Sequence, residues 1–287
     1  VRNGLVEGGM AFDVKTPVAL DGVPETMLWT LYYRAVEARR ADPVLVDPAA
    51  VDLVDSIDYP FEQRFGEHTG LAQGQALRAL RFDIEVRRFL ARHPDGTVVA
   101  LGEGLETQFW RVDNGRVQWL SVDLPESVDL RSRLLPASPR LRSFAGSVLD
   151  SAWMDRIDTA RGVLLTAEGL FMYLQPGQVR QLIADCAARF PGGSLVFDAV
   201  PRWFSARTVR GRLAPGQSYQ PPPMPWGLDP GQQQLIRTVH PNIVDVRDLR
   251  VPPGRGVFYG VLVPRLHLIP MIRSRRPSIV RVSFGPG

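Results

Sequence analysis

Between residues 25 and 92 apolar side chains return every three or four positions, the period of an amphipathic helix. From Glu25 to Arg40 they are Met27, Leu28, Leu31, Tyr32, Ala35 and Val36, which predicts a first helix. Asp42-Pro43 ends it, and Asp47-Pro48 opens a second that runs to about Ile57, because proline suits the first turn of a helix. A third is predicted from Gln75 to Arg92, stopped by His93-Pro94-Asp95-Gly96. Residues 1–24 are Gly-rich and weakly patterned, and read as a loose arm.

After Gly96 the rhythm changes to short apolar runs, Thr97–Leu101, Val117–Val122, Leu141–Ala145, Gly162–Ala167 and Ser194–Val200. A helical stretch, Gln178–Phe190, separates the last two. Strands apolar throughout and alternating with crossovers indicate a parallel sheet covered on both faces. Ile243–Val251 and Val280–Phe284 are expected to close it. Ahead of them, residues 201–232 carry Pro201, Pro215, Pro221, Pro222, Pro223, Pro225 and Pro230, a density that suits a lid better than a plain connection. The expected organisation is an α/β chain. It has an arm and helical cap over 1–75, a core over 76–200, a lid insertion over 201–242, and strands completing the sheet over 243–287.

Composition narrows the chemistry. The 287 residues are 45% hydrophobic, enough for a sizeable core without staples. The single cysteine, Cys186, excludes an intramolecular disulfide, fits a reducing compartment and sits where a helix packs. No apolar run approaches the ~20 residues of a membrane span. The start, with Glu7 and Asp13, is unlike a secretory signal, so a cytoplasmic protein without a membrane partner is expected. His68, His93, His240 and His267 lack metal-ligand spacing, and no metal is expected. Neither a GxSxG elbow nor a P-loop is present. Every acidic residue lies at or before Asp248, and Arg250, Arg255, Arg265, Arg273, Arg275, Arg276 and Arg281 follow it. Such a tail can attract phosphates. Lacking interleaved aromatics, it reads as a solvated basic edge, with no nucleic-acid partner expected.

The turn after the first strand carries the chemistry: Leu101-Gly102-Glu103-Gly104-Leu105-Glu106. Glycines there let a backbone approach a ligand at the carboxyl ends of the strands. A lone GxG is a weak signal, but the second strand ends in Asp123, and a carboxylate about twenty residues on can accept both hydroxyls of a ribose. A dinucleotide fingerprint wants a third glycine where Thr107 stands, and Glu103 and Glu106 would repel a pyrophosphate. The two glutamates are expected to face a cationic ligand, such as one bearing a sulfonium and an ammonium, which favours S-adenosyl-L-methionine over a nicotinamide cofactor. Glycines serving only a tight turn are the remaining alternative.

The run Val99-Ala100-Leu101-Gly102-Glu103-Gly104-Leu105-Glu106-Thr107-Gln108-Phe109-Trp110-Arg111 resembles the glycine motif of the leucine carboxyl methyltransferase-like family, closest to its tetracenomycin-type polyketide O-methyltransferases. Arg78–Asp83, Val122–Pro125, Gly146–Trp153, Thr166–Leu174 and Arg189–Gly192 agree in order and spacing. The resemblance implies a class I methyltransferase (Rossmann-like) fold, a mostly parallel seven-stranded sheet with helices on both faces, and S-adenosyl-L-methionine as cofactor. It implies that Arg78 holds the methionine carboxylate, with Arg81 as a possible helper. Gly102, Glu103 and Gly104 would form the loop beneath the cofactor, Asp123 would meet the ribose, Ser147 and Val148 the adenine, and Glu168 the methionine amine, with Leu124 a further cofactor-binding residue. The chain departs from the family's commonest loop at Glu103, Glu106 and Gln108, and from its usual adenine-site aspartate at Ser147.

The expected reaction is O-methylation of a carboxylate or phenol on a small, polyketide-like acceptor. A phenol, with a pKa of about 10, needs a base or a cation nearby. His240 is the candidate base, and Arg202 or Arg34 the candidate partner of an acceptor carboxylate; Tyr32, Trp203, Tyr219 and Trp226 are the candidate substrate-lining residues. The rival readings are a methyltransferase-fold binding protein that has lost its cofactor and a nicotinamide-dependent oxidoreductase.

Overall fold

The computed structural model describes residues 15–211, 219–266, 269 and 275–286. Its centre is a seven-stranded sheet of β1 (Thr97–Leu101), β2 (Gln118–Asp123), β3 (Leu141–Ala145), β4 (Val163–Ala167), β5 (Ser194–Ala199), β6 (Ile243–Leu249) and β7 (Ser278–Phe284). The spatial order is β3-β2-β1-β4-β5-β7-β6. The first five strands run parallel, and β7 is antiparallel to both β5 and β6. This is the Rossmann-like α/β arrangement expected from the sequence. Two strands coincide with the predicted bounds, and the other five agree to within two residues at each end.

Alternate residues of each strand serve opposite faces. Val98 and Ala100 pack with Phe82, Val86 and Phe89 of α4 (Thr69–Leu90). Val99 and Leu101 pack with Val179, Leu182 and Ile183 of α7 (Pro176–Arg189). Cys186 is buried in that second core, as its helical setting predicts. The strand order reverses beside β1, so the carboxyl ends of β1 and β4 open the crevice where sheets of this class bind ligands.

Three further helices precede α4. They are α1 (Thr26–Ala38), α2 (Pro48–Ser56), whose first turn is capped by the Asp47 carboxylate, and the short α3 (Phe61–Phe65). Their core is rich in rings: Tyr32 stacks on Phe61, and the Tyr33 hydroxyl donates to the Phe65 carbonyl at 2.7 Å. The sequence reading misses α3, α5 (Gln108–Val112) and α6 (Pro125–Leu134), which are too short or too polar for a clear period. It also starts α4 six residues late. In the supposed loose arm, Thr16–Pro17 pairs in parallel with Ile57–Asp58.

The Pro-rich stretch is more ordered than a plain loop. It opens with α8 (Arg202–Val209), and past residues 212–218, which lie outside the described residues, it folds back onto the core. There the Leu228 amide donates to Val200 at 2.9 Å, and the Ser205 hydroxyl to the Met224 carbonyl at 2.7 Å. The basic tail is a correction to the sequence reading. Arg255 pairs with the buried Glu37 of α1, Arg281 with Glu85 of α4, and Arg276 with Asp248, so these arginines tie the C-terminal segment down instead of fringing it. Arg273 and His267 lie outside the described residues. Among the described residues no helix is long and apolar enough to cross a membrane, and no cluster of metal-ligating side chains occurs.

Candidate functional site

At the crevice a narrow cavity of about 70 Å³ is lined by Gly102, Gly104, Arg78, Glu168, and Thr26, Met27 and Thr30 of α1. Its floor is the turn after β1. Gly102 and Gly104 have φ of 62° and 50°, the left-handed region where a side chain is strained. A Cβ on Gly102 would come within 2.8 Å of Leu170, and one on Gly104 within 2.9 Å of Met27. The glycines therefore serve both the turn and the close approach of the elements above it.

Asp123, at the end of β2, accepts the Gly104 amide on Oδ2 and its neighbour Leu124's amide on Oδ1, both at 2.7 Å. Burial pushes its carboxyl up from the usual range, and the two amides and Arg131 pull against that rise. Leu124, Ser147 and Val148 sit beyond the cavity lining, after the ends of β2 and β3, with Leu124 and Ser147 exposed and Val148 buried.

The loop glutamates correct the electrostatic expectation. Both line the cavity, but neither is a spare anion. Glu103 accepts from the indole of Trp119 at 3.1 Å and pairs with Arg131 of α6 at 3.0 Å. Arg131 in turn donates to the Gly104 and Glu106 carbonyls. Glu106 pairs with Arg34 at 2.8 Å and with Arg111 at 2.6 Å. Burial opposes its ionisation, but the two guanidiniums prevail and hold it down at about 2. Arg34 is thus a scaffold residue under the loop, also tied to Asp47 and the Leu105 carbonyl, and not an acceptor-binding cation. Gln108 donates to Asp83, which Arg111 also pairs.

On the opposite wall Arg78 donates from Nε to Glu168 at 3.0 Å and from Nη1 to Asp198 at 3.3 Å. Asp198, at the end of β5, also accepts the Gly169 amide at 2.6 Å. Glu168 keeps its second oxygen, Oε2, buried without a hydrogen-bond partner. Its carboxyl stands near 7, raised first by burial and further by Glu106 and Asp198, against the pull of Arg78. Sequence reasoning misses Asp198, although the signal that found Asp123, an acid ending an apolar strand, is present there too. Arg81 turns to Glu85 and is no helper of Arg78.

The remaining candidates scatter. His240 precedes β6, which runs parallel to β1–β5, so it stands at the amino end of the sheet, across the core from the crevice; its Nδ1 accepts the Asn242 amide. Arg202 is exposed on the first turn of α8. Trp203 is 45% exposed, with its indole donating to the Arg275 carbonyl. Trp226 packs edge-on against Phe171 and Phe197 and anchors the Pro-rich segment in the core. Tyr32 is inside the cap's ring cluster, against a second cavity lined by Tyr59, Phe61 and Glu62. Tyr219 joins the Pro-rich segment to the N-terminal helices, stacked on Trp29 and edge-on to Phe65, with its hydroxyl buried and unpartnered.

The fit of S-adenosyl-L-methionine can be judged from these groups. The unpartnered Glu168 oxygen suits an ammonium, Arg78 beside it suits a carboxylate, the glycine cradle admits a close approach, and Asp123 stands one strand away for a ribose. The residues present fit the group.

A sequence model of the family described as leucine carboxyl methyltransferase matches residues 27–187. The tetracenomycin polyketide synthesis O-methyltransferase of Streptomyces glaucescens is 37% identical over 187 residues, which cover 65% of this chain and 69% of that protein. An S-adenosyl-L-methionine-dependent methyltransferase of Gibberella zeae is 30% identical over 205 residues, 64% of this chain and 68% of that one. Among solved structures, an O-methyltransferase family protein from Burkholderia thailandensis is 16% identical with a TM-score of 0.44, covering 92% of this chain and 71% of that one. Likeness at that level adds nothing to the fold already described.

Proposed function

The chain belongs to the leucine carboxyl methyltransferase family and is an S-adenosyl-L-methionine-dependent methyltransferase, and from that premise we propose that it transfers the methyl group to oxygen, on a carboxylate or phenolic hydroxyl of a small polyketide-like molecule. The observation that carries this reading is the 37% identity to an enzyme named for O-methylation in polyketide synthesis.

In this reading Arg78 holds the methionine carboxylate, Glu168 the amine and Asp123 the ribose, with Gly102, Glu103 and Gly104 beneath, Ser147 and Val148 at the adenine, and Leu124, next to Asp123, a further cofactor contact. Glu103 contributes through its backbone, since its side chain is spent on Trp119 and Arg131. The cofactor supplies a methyl group already activated by its sulfonium. What remains for the chain is to hold the acceptor oxygen ~3–3.5 Å from that carbon and to keep water out. Thr26, Met27 and Thr30 of α1 roof the cavity, and the lid segment carrying Tyr219 joins the same cap. Among the described residues no histidine lines the cavity. A carboxylate acceptor, ionised at neutral pH, asks least of these groups. The paired loop glutamates also weigh against the reading of a protein that has lost its cofactor, because each departure from the commoner loop has a matching partner.

The test is a methyl-transfer screen with isotopically labelled cofactor against aromatic polyketide acids, their decarboxylated phenols and matched amines. Label in a base-labile ester is the expected result. Transfer confined to amines would overturn the O-methyl reading.

A further inference from the structure

Asp198 is almost fully buried at the carboxyl end of β5, and its carboxylate is shared between two elements that meet at the cavity. One oxygen receives the amide of Gly169, the residue after Glu168, and the other receives Arg78. Arg78 is also bonded to Glu168, so one guanidinium stands among two carboxylates. The neighbouring glutamates have their own cations, Glu103 in Arg131 and Glu106 in Arg34 and Arg111. Once Glu168 is ionised, as at pH 8, this wall therefore holds a surplus of one negative charge, and Asp198 is its source.

That surplus has a counterpart in the chemistry of the two ligands the site must handle. The methionine end of S-adenosyl-L-methionine carries an ammonium, a carboxylate and a sulfonium, a net charge of about +1 at neutral pH. The demethylated product, S-adenosylhomocysteine, has lost the sulfonium and its zwitterion is neutral. Arg78 and Glu168 alone match a zwitterion and treat both ligands alike. We propose that Asp198 is a specificity-determining residue, supplying the charge by which the site prefers the sulfonium cofactor to its neutral product and so favours exchange of one for the other after each turnover. This rests on the cavity being the site for the methionine end, as read above. Glu168 reports the same field: after burial, its like-charged neighbours Glu106 and Asp198 are what hold its proton on. In partly buried surroundings a charge several ångströms away shifts a binding constant by a factor on the order of 10.

The test is calorimetric titration of the full chain and of Asp198→Asn with both ligands at pH 8. Asparagine keeps an acceptor for the Gly169 amide but removes the charge together with the oxygen that meets Arg78, and loss of that second contact alone would weaken both ligands alike. The expected result is a loss of roughly 10-fold in affinity for S-adenosyl-L-methionine, with S-adenosylhomocysteine changed by less than about 3-fold. Asp198→Glu should retain the preference even if both affinities fall. Equal losses for both ligands, or none, would overturn the proposal and leave Asp198 a support for the Gly169 turn. If the asparagine variant does not fold, the parent decides: an analogue with a protonated amine in place of the sulfonium must bind it more tightly than S-adenosylhomocysteine, and equal affinity overturns the idea. Failure of the parent to bind any of these ligands would count against the cavity assignment itself, a separate outcome.

Discussion

The Asp123 carboxylate accepts the backbone amide of Gly104 at 2.7 Å, so the acid that ends β2 and the loop that follows β1 are positioned by one bond. The two sequence signals that point to a nucleotide are thus parts of a single structure.

Replacing Asp123 by alanine removes charge-assisted acceptors and leaves the Gly104 and Leu124 amides without them. We expect cofactor affinity to fall by about 1.5–3 kcal/mol. Asp123→Asn should lose less, because one acceptor survives. Calorimetric titration of the two variants measures this, and unchanged affinity in the alanine form would refute the ribose assignment.

Arg131 bridges α6 to the glycine loop through Glu103 and the carbonyls of Gly104 and Glu106. Arg131→Met strands a buried carboxylate and should cost about 3–5 kcal/mol in urea denaturation. Adding Glu103→Gln should restore part of that loss. An additive double-mutant cycle would show that the two side chains do not act together.

Glu168 stands near 7 in the folded chain, chiefly because it is buried. A carboxyl held above its unfolded value stabilises the fold most when protonated, so its contribution is full below about pH 4 and is lost as pH rises through about 7. Glu168→Gln should flatten that decline in the cofactor-free protein. Cofactor affinity should run the other way, rising through the same interval as the carboxylate forms to meet an ammonium. Paired thermal melts and titrations from pH 5 to pH 8.5 check both slopes.

Trp203 and Trp226 both belong to the Pro-rich segment but differ in surroundings. Trp226→Ala opens the packing around Phe171 and Phe197 and should cost on the order of 3 kcal/mol. Trp203→Ala, at an exposed position, should change stability by no more than about 0.5 kcal/mol and leave turnover unaltered. A large loss of turnover in the Trp203 variant would restore it as a substrate residue.

Strands β1, β2, β4 and β5 were legible because each is covered on both faces, which writes a continuous apolar run into the sequence; the edge strands β3 and β6 are partly exposed and were legible from shorter apolar signals. Asp123 and the glycines were legible because a local spacing carries them. The loop glutamates were misread because their partners come from elsewhere: Arg34 from α1, Arg111 from α5 and Arg131 from α6. A like-charge pair read locally suggests a cationic ligand; read with its partners it is a foundation. His240 failed for a topological reason. Adjacency to the lid in sequence says nothing about which end of the sheet a residue occupies, and the direction of β6 puts it at the wrong one. Tyr32 follows the helical period faithfully, but the period does not say whether a buried ring faces a ligand or its neighbours Phe61 and Phe65.

Met27 rests against Gly104 so closely that even a methyl group there has no room, and seven residues on, Arg34 grips the carbonyl of Leu105. The roof of the cavity and its floor are therefore joined along almost two turns of one helix. Hydrogen exchange in the first helix and in the glycine loop should then be lost and regained together, as one unit. A molecule entering the crevice cannot lift the helix without dismantling the turn beneath it. Entry is left to the rim of the crevice beside that helix.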